Sequence, residues 1–352
     1  MMGNRLYLDN WIGQKIGLTE NEELTREKIC AYQLEKIREN IEYVKQKSPF
    51  YREKLKDIKP EDIKTPDDVC RIPLTTQAEL IEHGRDMICV PEDEINYIIT
   101  IGGDENEEKA KKIYFTEEDQ RLTIDCFHHG MKYLCNTGER VLILLPCKEP
   151  GSVGNLLEIG LDRMDVEAVC FNELKSENDY KDVLKLVENQ RIHCIVGRPR
   201  QVEELARQSV EMQKNELFVE SLRKVLLTGE YVSLQSCEVI SEAWDCRVYE
   251  HYGMTEMGFG GGILCTANGG KGMAYPGYHL READLYVEVL ERNSNLPAKP
   301  GEYGEIAFTT LTRAGMPLIR YRTGDISRWI DEPCRCGSVL RRLDKVRESK
   351  FV

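Results

Sequence analysis

Between Tyr114 and Leu227 the chain keeps one rhythm, short apolar runs alternating with helical segments, and this constrains the fold more than any other feature. Tyr114-Phe115 precedes a Thr116-x-x-Asp119 helix start whose helix is expected to run to about residue 134. Residues 140–145, 166–171, 193–196 and 224–227 read as strands, and 153–164, 182–189 and 201–206 as helices. Strands separated by helices pair in parallel, which predicts an α/β fold with a largely parallel sheet and helices on both faces. The densest apolar run, Val141-Leu-Ile-Leu-Leu145, suits a strand buried on both faces and is far too short to span a membrane.

The flanks differ. Residues 20–47 are strongly helical, with Thr25 able to cap and Ile29, Leu34, Ile37, Ile41 and Val44 on one apolar face. Ser48-Pro-Phe-Tyr51 breaks that helix, and Arg71-Ile-Pro-Leu-Thr-Thr76 introduces another through Ala78-Glu-Leu-Ile81. After residue 270 the pattern changes to short strands over 285–290, 304–309 and 325–330, joined by Gly and Pro turns. That predicts a smaller β-rich subdomain.

With 352 residues, 41% of them apolar, the chain can bury two or three core units. Its 61 acids against 48 bases leave a net charge of -13, which argues against a nucleic-acid polymer as partner. A nucleotide is still permitted, because backbone N–H groups and a metal can hold phosphates in an acidic protein. Met1-Met-Gly-Asn-Arg-Leu-Tyr7 has no apolar h-region, so no signal peptide and no membrane partner are expected. Thirteen scattered cysteines, an odd count without a compact framework, point to reduced thiols and a cytoplasmic protein.

Two segments carry the chemistry. In Glu250-His-Tyr-Gly-Met-Thr-Glu-Met-Gly258 a strand runs into a Gly-rich turn, where missing side chains permit a ligand to approach the backbone. In Leu318-Ile-Arg-Tyr-Arg-Thr-Gly-Asp325 a second carboxylate stands beside glycine and hydroxyls. Such groupings can hold the metal, phosphate and ribose of a nucleotide. The blander reading of the first is a tight turn with a capping Thr255 and a surface Glu256.

Together with the long stretch from Gly301-Glu-Tyr-Gly-Glu305 to Asp325, these segments resemble the adenylate-forming (AMP-binding) superfamily, in its phenylacetate–CoA ligase-like branch. Ser48-Pro-Phe-Tyr-Arg52 and Ile72-Pro-Leu-Thr-Thr76 look like the N-terminal region of that branch, so the resemblance covers nearly the whole chain. It implies the family's large N-terminal domain: parallel sheets flanked by helices plus a small β-barrel-like subdomain. On this chain that gives a helical region over 1–75, α/β subdomains over 76–245, and the nucleotide-site turn with the β-rich subdomain over 246–346. The resemblance further implies that Tyr252 packs on adenine beside Gly253, that Thr255 contacts the α-phosphate, and that Glu256 holds magnesium. Asp325 would accept the two ribose hydroxyls, and Thr228-Gly229-Glu230 would form the turn beside the adenine. Arg320 and Arg322 are expected to brace their loop rather than touch substrate.

A second metal is implied as well. Cys265, His279, Cys334 and Cys336 follow a spacing shared with members of this type, and a Cys₃His set suits a structural zinc with a closed shell. Taken without the resemblance, Cys-x-Cys with a distant Cys and His is a weak signal, and free thiols are the simpler reading. The other cysteines (30, 70, 89, 126, 135, 147, 170, 194, 237, 246) read as buried small apolar residues.

The chain departs from the family in two places. Where ligases of this branch carry a Ser/Thr/Gly-rich phosphate loop, residues 100–112 read Thr-Ile-Gly-Gly-Asp-Glu-Asn-Glu-Glu-Lys-Ala-Lys-Lys. A carboxylate about 6 Å from a phosphate charge costs roughly 3 kcal/mol per pair at an effective dielectric near 20. Lys109, Lys111 and Lys112 could offset part of this by turning inward, and a solvated loop tip is the alternative. At the hinge that precedes the family's mobile lid, Arg347-Glu348 aligns with a Gly-Arg pair, and the lid is expected to be absent.

Two functions are therefore expected. The first is an AMP-forming acid–thiol ligase taking ATP, magnesium, a carboxylic acid (most naturally an aryl acid) and CoA. The second is a catalytically degenerate nucleotide or acyl-adenylate-binding scaffold, or the large half of a split ligase whose separate partner chain bears the lid. Homodimerisation fits the family but has no signature in this sequence. His128, His129 and His251 are expected to be helix-face and turn residues rather than bases.

Overall fold

A computed structural model describes residues 7–102, 110–265 and 276–348. They divide into two compact units, Met1–Arg121 with Thr255–Gly261 and Ala267–Val352, and Leu122–Met254 with Gly262–Thr266. Residues 103–109 of the charged loop, and 349–352 after the hinge pair, lie outside the described residues.

The first unit opens with helix α1 (Tyr7–Lys15), which was not expected from the sequence, and continues with α2 (Arg26–Lys47), α3 (Pro49–Lys54) and α4 (Gln77–His83). Helix α2 buries the expected Ile29, Leu34, Ile37, Ile41 and Val44, and the Thr25 hydroxyl accepts from the Lys28 amide. It starts later than residue 20 because Glu22 bonds back to the Thr19 amide and hydroxyl at 3.0 and 2.9 Å, closing a turn. Ser48 ends α2 and begins α3: its amide bonds Val44 and its hydroxyl accepts from Tyr51.

Strands β1 (Ile95–Ile101) and β2 (Lys111–Thr116) form an antiparallel hairpin, with Ile101 opposite Lys111. Helix α5 (Glu117–Met131) then starts at the expected Thr-x-x-Asp box. The Thr116 amide donates to Asp119 at 3.0 Å and the Asp119 amide to the Thr116 hydroxyl at 3.1 Å. Asp119 also receives the amides of Ala314 (2.9 Å) and Gly315 (3.0 Å). A side chain at residue 315 would put its Cβ 2.6 Å from the Asp119 carboxylate, so only glycine fits.

The second unit holds the predicted parallel sheet. Its elements in chain order are β3 (Arg140–Leu144), α6 (Val153–Asp162), β4 (Glu167–Cys170), α7 (Glu177–Asn189), β5 (Cys194–Gly197), α8 (Pro199–Glu211) and α9 (Glu216–Val219). After these come β6 (Lys224–Leu227), α10 (Leu234–Trp244), β7 (Arg247–Tyr252) and β8 (Gly262–Leu264). Strands run in the order β4-β3-β5-β6-β7-β8, parallel except for the last pair. Val141, Leu142, Ile143 and Leu144 are all fully buried, as a strand covered on both faces requires. Leu142, Leu144 and Ile195 share one core cluster with Val183 of α7, Val202 of α8 and Trp244 of α10. Helix α10 was not anticipated. Its Trp244 stacks on Phe218 with centroids 4.5 Å apart and donates to the Ser209 hydroxyl at 2.9 Å, which satisfies its one buried polar group.

The β-rich part returns to the first unit with β9 (Tyr278–Leu280), β10 (Leu285–Leu290), β11 (Gly304–Thr310), β12 (Tyr321–Ser327), β13 (Trp329–Ile330), β14 (Arg342–Leu343) and β15 (Arg347–Glu348). Strands β10-β11-β12-β15 make one antiparallel sheet. The strand expected over 325–330 instead divides into β12 and β13, so Tyr321 to Asp325 lie on a strand rather than a loop.

Arg320, just before β12, is fully buried at φ 44°, a left-handed conformation that ordinary side chains rarely adopt. Its guanidinium donates twice to Glu288 at 2.9 Å and also reaches the carbonyls of Cys70 (3.0 Å), Ile72 (2.6 Å) and Asn295 (3.0 Å). Burial raises the Glu288 carboxyl above its ordinary value even against the pull of Arg320. Arg322 pairs with Glu305, with Nε to Oε2 at 2.9 Å. Arg320 therefore braces backbone, and Arg322 holds the neighbouring strand through the Glu305 carboxylate.

Asp284 anchors helix α1: Lys15 Nζ lies 2.5 Å away, Arg281 Nε 3.1 Å, and the Thr312 hydroxyl donates at 2.7 Å. Burial pushes this carboxyl up, but Arg281 and Lys15 outweigh it and hold it below the usual range. A depressed folded value means stability that is present above the ordinary carboxylate value of about 4 and lost as pH falls below it towards the lower folded value. Asp284→Asn should flatten the acid limb of a thermal-midpoint-versus-pH curve while lowering the midpoint at neutral pH.

Candidate nucleotide site and candidate metal centre

In the second unit, Gly229 and Glu230 come directly after β6 and Tyr252 ends the neighbouring parallel β7. The expected adenine-side residues thus share the carboxyl edge of one sheet, where open α/β folds place ligands. The Thr228 hydroxyl and His251 Nδ1, 2.9 Å apart, tie the two strand ends together. Gly229 needs its positive φ of 83° to turn there. Tyr252 is buried, and Glu230 lies 4.0 Å from Arg200. From helix α5, His128 Nδ1 meets the Gly160 carbonyl at 3.2 Å, and His251 lies within strand β7 rather than in a turn.

The Gly-rich turn continues into the first unit, where Thr255–Met257 form a single 3₁₀ turn closed by the Gly258 amide on the Thr255 carbonyl at 2.9 Å. Glu256 is only 2% exposed, which rules out a surface carboxylate. Its Oε1 receives the Tyr321 hydroxyl at 3.1 Å and the Lys111 ammonium at 2.5 Å, and its carbonyl accepts from Arg313 at 2.8 Å. Arg313 lies over the Phe115 ring, 5.0 Å from its centroid, and Phe115 stacks on Phe259 at 6.3 Å. Phe259 sits at φ 65°, an uncommon conformation for an aromatic residue and one found at ligand clamps. Burial pulls Arg313 down to about 10, with the neighbouring acids Asp119 and Glu256 opposing, so it stays a cation at neutral pH.

Asp325 is half-buried on β12, its amide held by the Thr323 hydroxyl at 3.0 Å. Tyr321 lies four residues before it on the same strand. Burial pushes the Tyr321 phenol far above its ordinary value, and the charges of Glu256 and Asp325 push it further. One tyrosine therefore lies within electrostatic reach of both carboxylates.

Sequence reasoning does not single out Tyr321 or Arg313, and it places Lys111 only among three lysines that could turn inward. The period-2 spacing of Tyr321 and Asp325 was the available signal, hidden because the motif was read as a loop. Nothing in the sequence pattern distinguishes Lys111 from Lys112. The β1–β2 register does, by aiming Lys111 toward the turn.

In the same unit His279, Cys334 and Cys336 each offer a ligand atom, all within 4.8 Å of one another. Cys336 Sγ faces His279 Nε2 at 3.6 Å and receives the Ser338 amide at 3.4 Å. Asp9 of α1 ties down the following turn, accepting from the Ser338 hydroxyl (3.0 Å) and the Val339 amide (3.1 Å). Cys265 is buried directly after β8 in the second unit. Of the cysteines read as buried, Cys89, Cys135, Cys147, Cys194 and Cys246 are so, but Cys30, Cys70, Cys126 and Cys237 are half-buried and Cys170 is exposed. Cys170 ends the short β4, at the edge of the sheet, where its side chain is left uncovered.

Residues 166–312 match the AMP-binding enzyme family. That match, with the fold, makes the chain similar to proteins of the adenylate-forming class, in keeping with the resemblance carried by the turn and the ribose-side motif. More particularly, the chain is similar to phenylacetate–CoA ligases. It is 26% identical over 339 residues to that of Thermus thermophilus, covering 93% of this chain and 72% of the relative. With that of Aromatoleum evansii it shares 22% identity over 347 residues, covering 92% and 71%. Among solved structures, an open conformation of 2-hydroxyisobutyryl-CoA ligase in complex with 2-HIB-AMP and CoA superposes with a TM-score of 0.81. It is 20% identical and covers 92% of this chain and 75% of that one. No described helix is long and apolar enough to cross a membrane.

Proposed function

We propose that this chain is an acid–thiol ligase-like protein that binds ATP or AMP and a carboxylic acid and holds them as an acyl adenylate. The acid's oxygen attacks the α-phosphorus and pyrophosphate leaves. A thiol, CoA in the simplest case, then attacks the acyl carbon and AMP leaves. In this reading Tyr252, Gly253, Gly229 and Glu230 take the adenine side, Thr255 the α-phosphate with the Glu256 carboxylate beside it, and Asp325 the ribose. The observation that carries it is Tyr321, bonded to Glu256 and within electrostatic reach of Asp325, since a nucleotide needs both carboxylates near one another. An aryl acid is the favoured substrate class, supported by the relatives' names alone. Pyrophosphate exchange over a panel of aryl and short-chain acids tests the reading: exchange with at least one acid is expected, and none with any acid would end it.

The reading includes a structural zinc held by Cys265, His279, Cys334 and Cys336. The clustering of His279 with two thiols in a buried corner supports it, since neutral imidazole and thiolates are a suitable donor set. Zinc would supply no chemistry beyond fixing the Cys-x-Cys turn. Metal analysis of purified protein should find one zinc per chain, and Cys336→Ser should lower both zinc content and thermal midpoint. A content well below one per chain would remove this assignment.

A further inference from the structure

Glu256 does not fit the role of an open metal carboxylate. It is buried, and its Oε1 already takes the Lys111 ammonium at 2.5 Å and the Tyr321 hydroxyl at 3.1 Å. The lysine is itself largely enclosed, with its side chain 17% exposed against 2% for that of Glu256. A buried carboxylate must have a counter-charge, and here the chain provides one from within. A divalent ion on the other oxygen of this carboxylate would stand close to the Lys111 ammonium already bonded to Oε1, and the Arg313 cation already donates to the carbonyl of the same residue, so like charges oppose it.

We infer that Lys111 is the built-in cation of Glu256, and that the ligand this chain takes there is an adenosine monophosphate ester, AMP or an acyl adenylate, bound without a divalent ion on Glu256. An ammonium has three donors and Glu256 uses one, so the others can serve an α-phosphate oxygen as a metal would. Any ion that accompanies ATP then travels on the nucleotide's own phosphates. Transfer of an acyl group from adenylate to thiol, which releases AMP, needs no metal. This inference rests on the nucleotide reading above.

Two measurements test it separately from that reading. The first needs no nucleotide and follows thermal midpoints of wild type, Lys111→Met, Glu256→Gln and the double variant, in buffer freed of divalent cations and then with Mn²⁺. Lys111→Met should melt several degrees lower and be partly restored by Mn²⁺, while wild type and the double variant should not respond. A Mn²⁺ rise in wild type that disappears in Glu256→Gln would show that metal displaces the lysine and would overturn the inference. So would a Lys111→Met protein that is undiminished, or that Mn²⁺ does not lift.

The second is a calorimetric AMP titration. Wild-type affinity should agree within about twofold with and without Mg²⁺, whereas Lys111→Met should lose about tenfold or more without metal, the scale of one charge-assisted phosphate contact. Lys111→Arg, which keeps the charge should Lys111→Met fold poorly, should stay metal-independent in both measurements, and metal dependence there would overturn the inference. A wild-type affinity that falls tenfold when Mg²⁺ is removed would also overturn it. If wild type binds no adenine nucleotide under either condition, the nucleotide reading fails and the melting experiment still decides the lysine.

Discussion

Arg320→Met should cost about 3 to 5 kcal/mol of folding stability, the usual penalty for removing one partner of a buried ion pair. The figure follows from what the guanidinium leaves behind. Glu288 would keep a carboxylate in the interior with no cation, and the carbonyls of Cys70, Ile72 and Asn295 would lose their donor. Against a typical total of about 5 to 15 kcal/mol, this is a large fraction of the fold's margin. Urea unfolding should show a lower midpoint with unchanged slope. Adding Glu288→Leu to Arg320→Met should recover part of the loss, because the stranded charge is gone, but not the part owed to the three carbonyls. A variant within about 0.5 kcal/mol of wild type would show that this arginine is not a brace.

Asp325→Ala should weaken AMP binding about 100-fold. Two hydrogen bonds from ribose hydroxyls to one carboxylate are worth about 1.5 kcal/mol or more each, and each 1.4 kcal/mol is a factor of ten. The side chain is half-buried on a strand fixed by its neighbours, so its loss should leave the thermal midpoint nearly unchanged. A 2′,3′-dideoxy nucleotide should bind wild type and Asp325→Ala with similar weakness. Calorimetry that finds equal AMP affinity in wild type and variant would remove Asp325 from the site.

How much of this was legible beforehand depends on the kind of signal. The parallel sheet was readable because Val141 to Leu144, Cys194 to Val196 and Val225 to Leu227 are apolar without alternation, which only a doubly covered strand tolerates. The Thr116-x-x-Asp119 box was readable because capping is local. What Asp119 does next was not, since the amides of Ala314 and Gly315 lie almost two hundred positions downstream. Helix α1 is short and carries Gly13 in its interior, and α10 ends on a left-handed Asp245 in place of the glycine that commonly marks a helix end, so neither announces itself in the sequence. Glu256 was recognisable as a candidate, yet its burial and its salt bridge to Lys111 depend on where a hairpin aims one lysine of a charged run. Alternation within residues 318–325 was masked by the buried Arg320, whose charge made a strand entrance look like a solvated loop.

The sheet that carries Asp325 ends at β15, which lies against β12 for two residues only, with Asp325 opposite Glu348 and Ile326 opposite Arg347. So short a seam can peel open at small cost, since each hydrogen bond nets only about 1 kcal/mol once water replaces it. In the proposed reading the strand that carries the ribose carboxylate is thus shared with β15, and a pull on β15 would be felt first at Asp325.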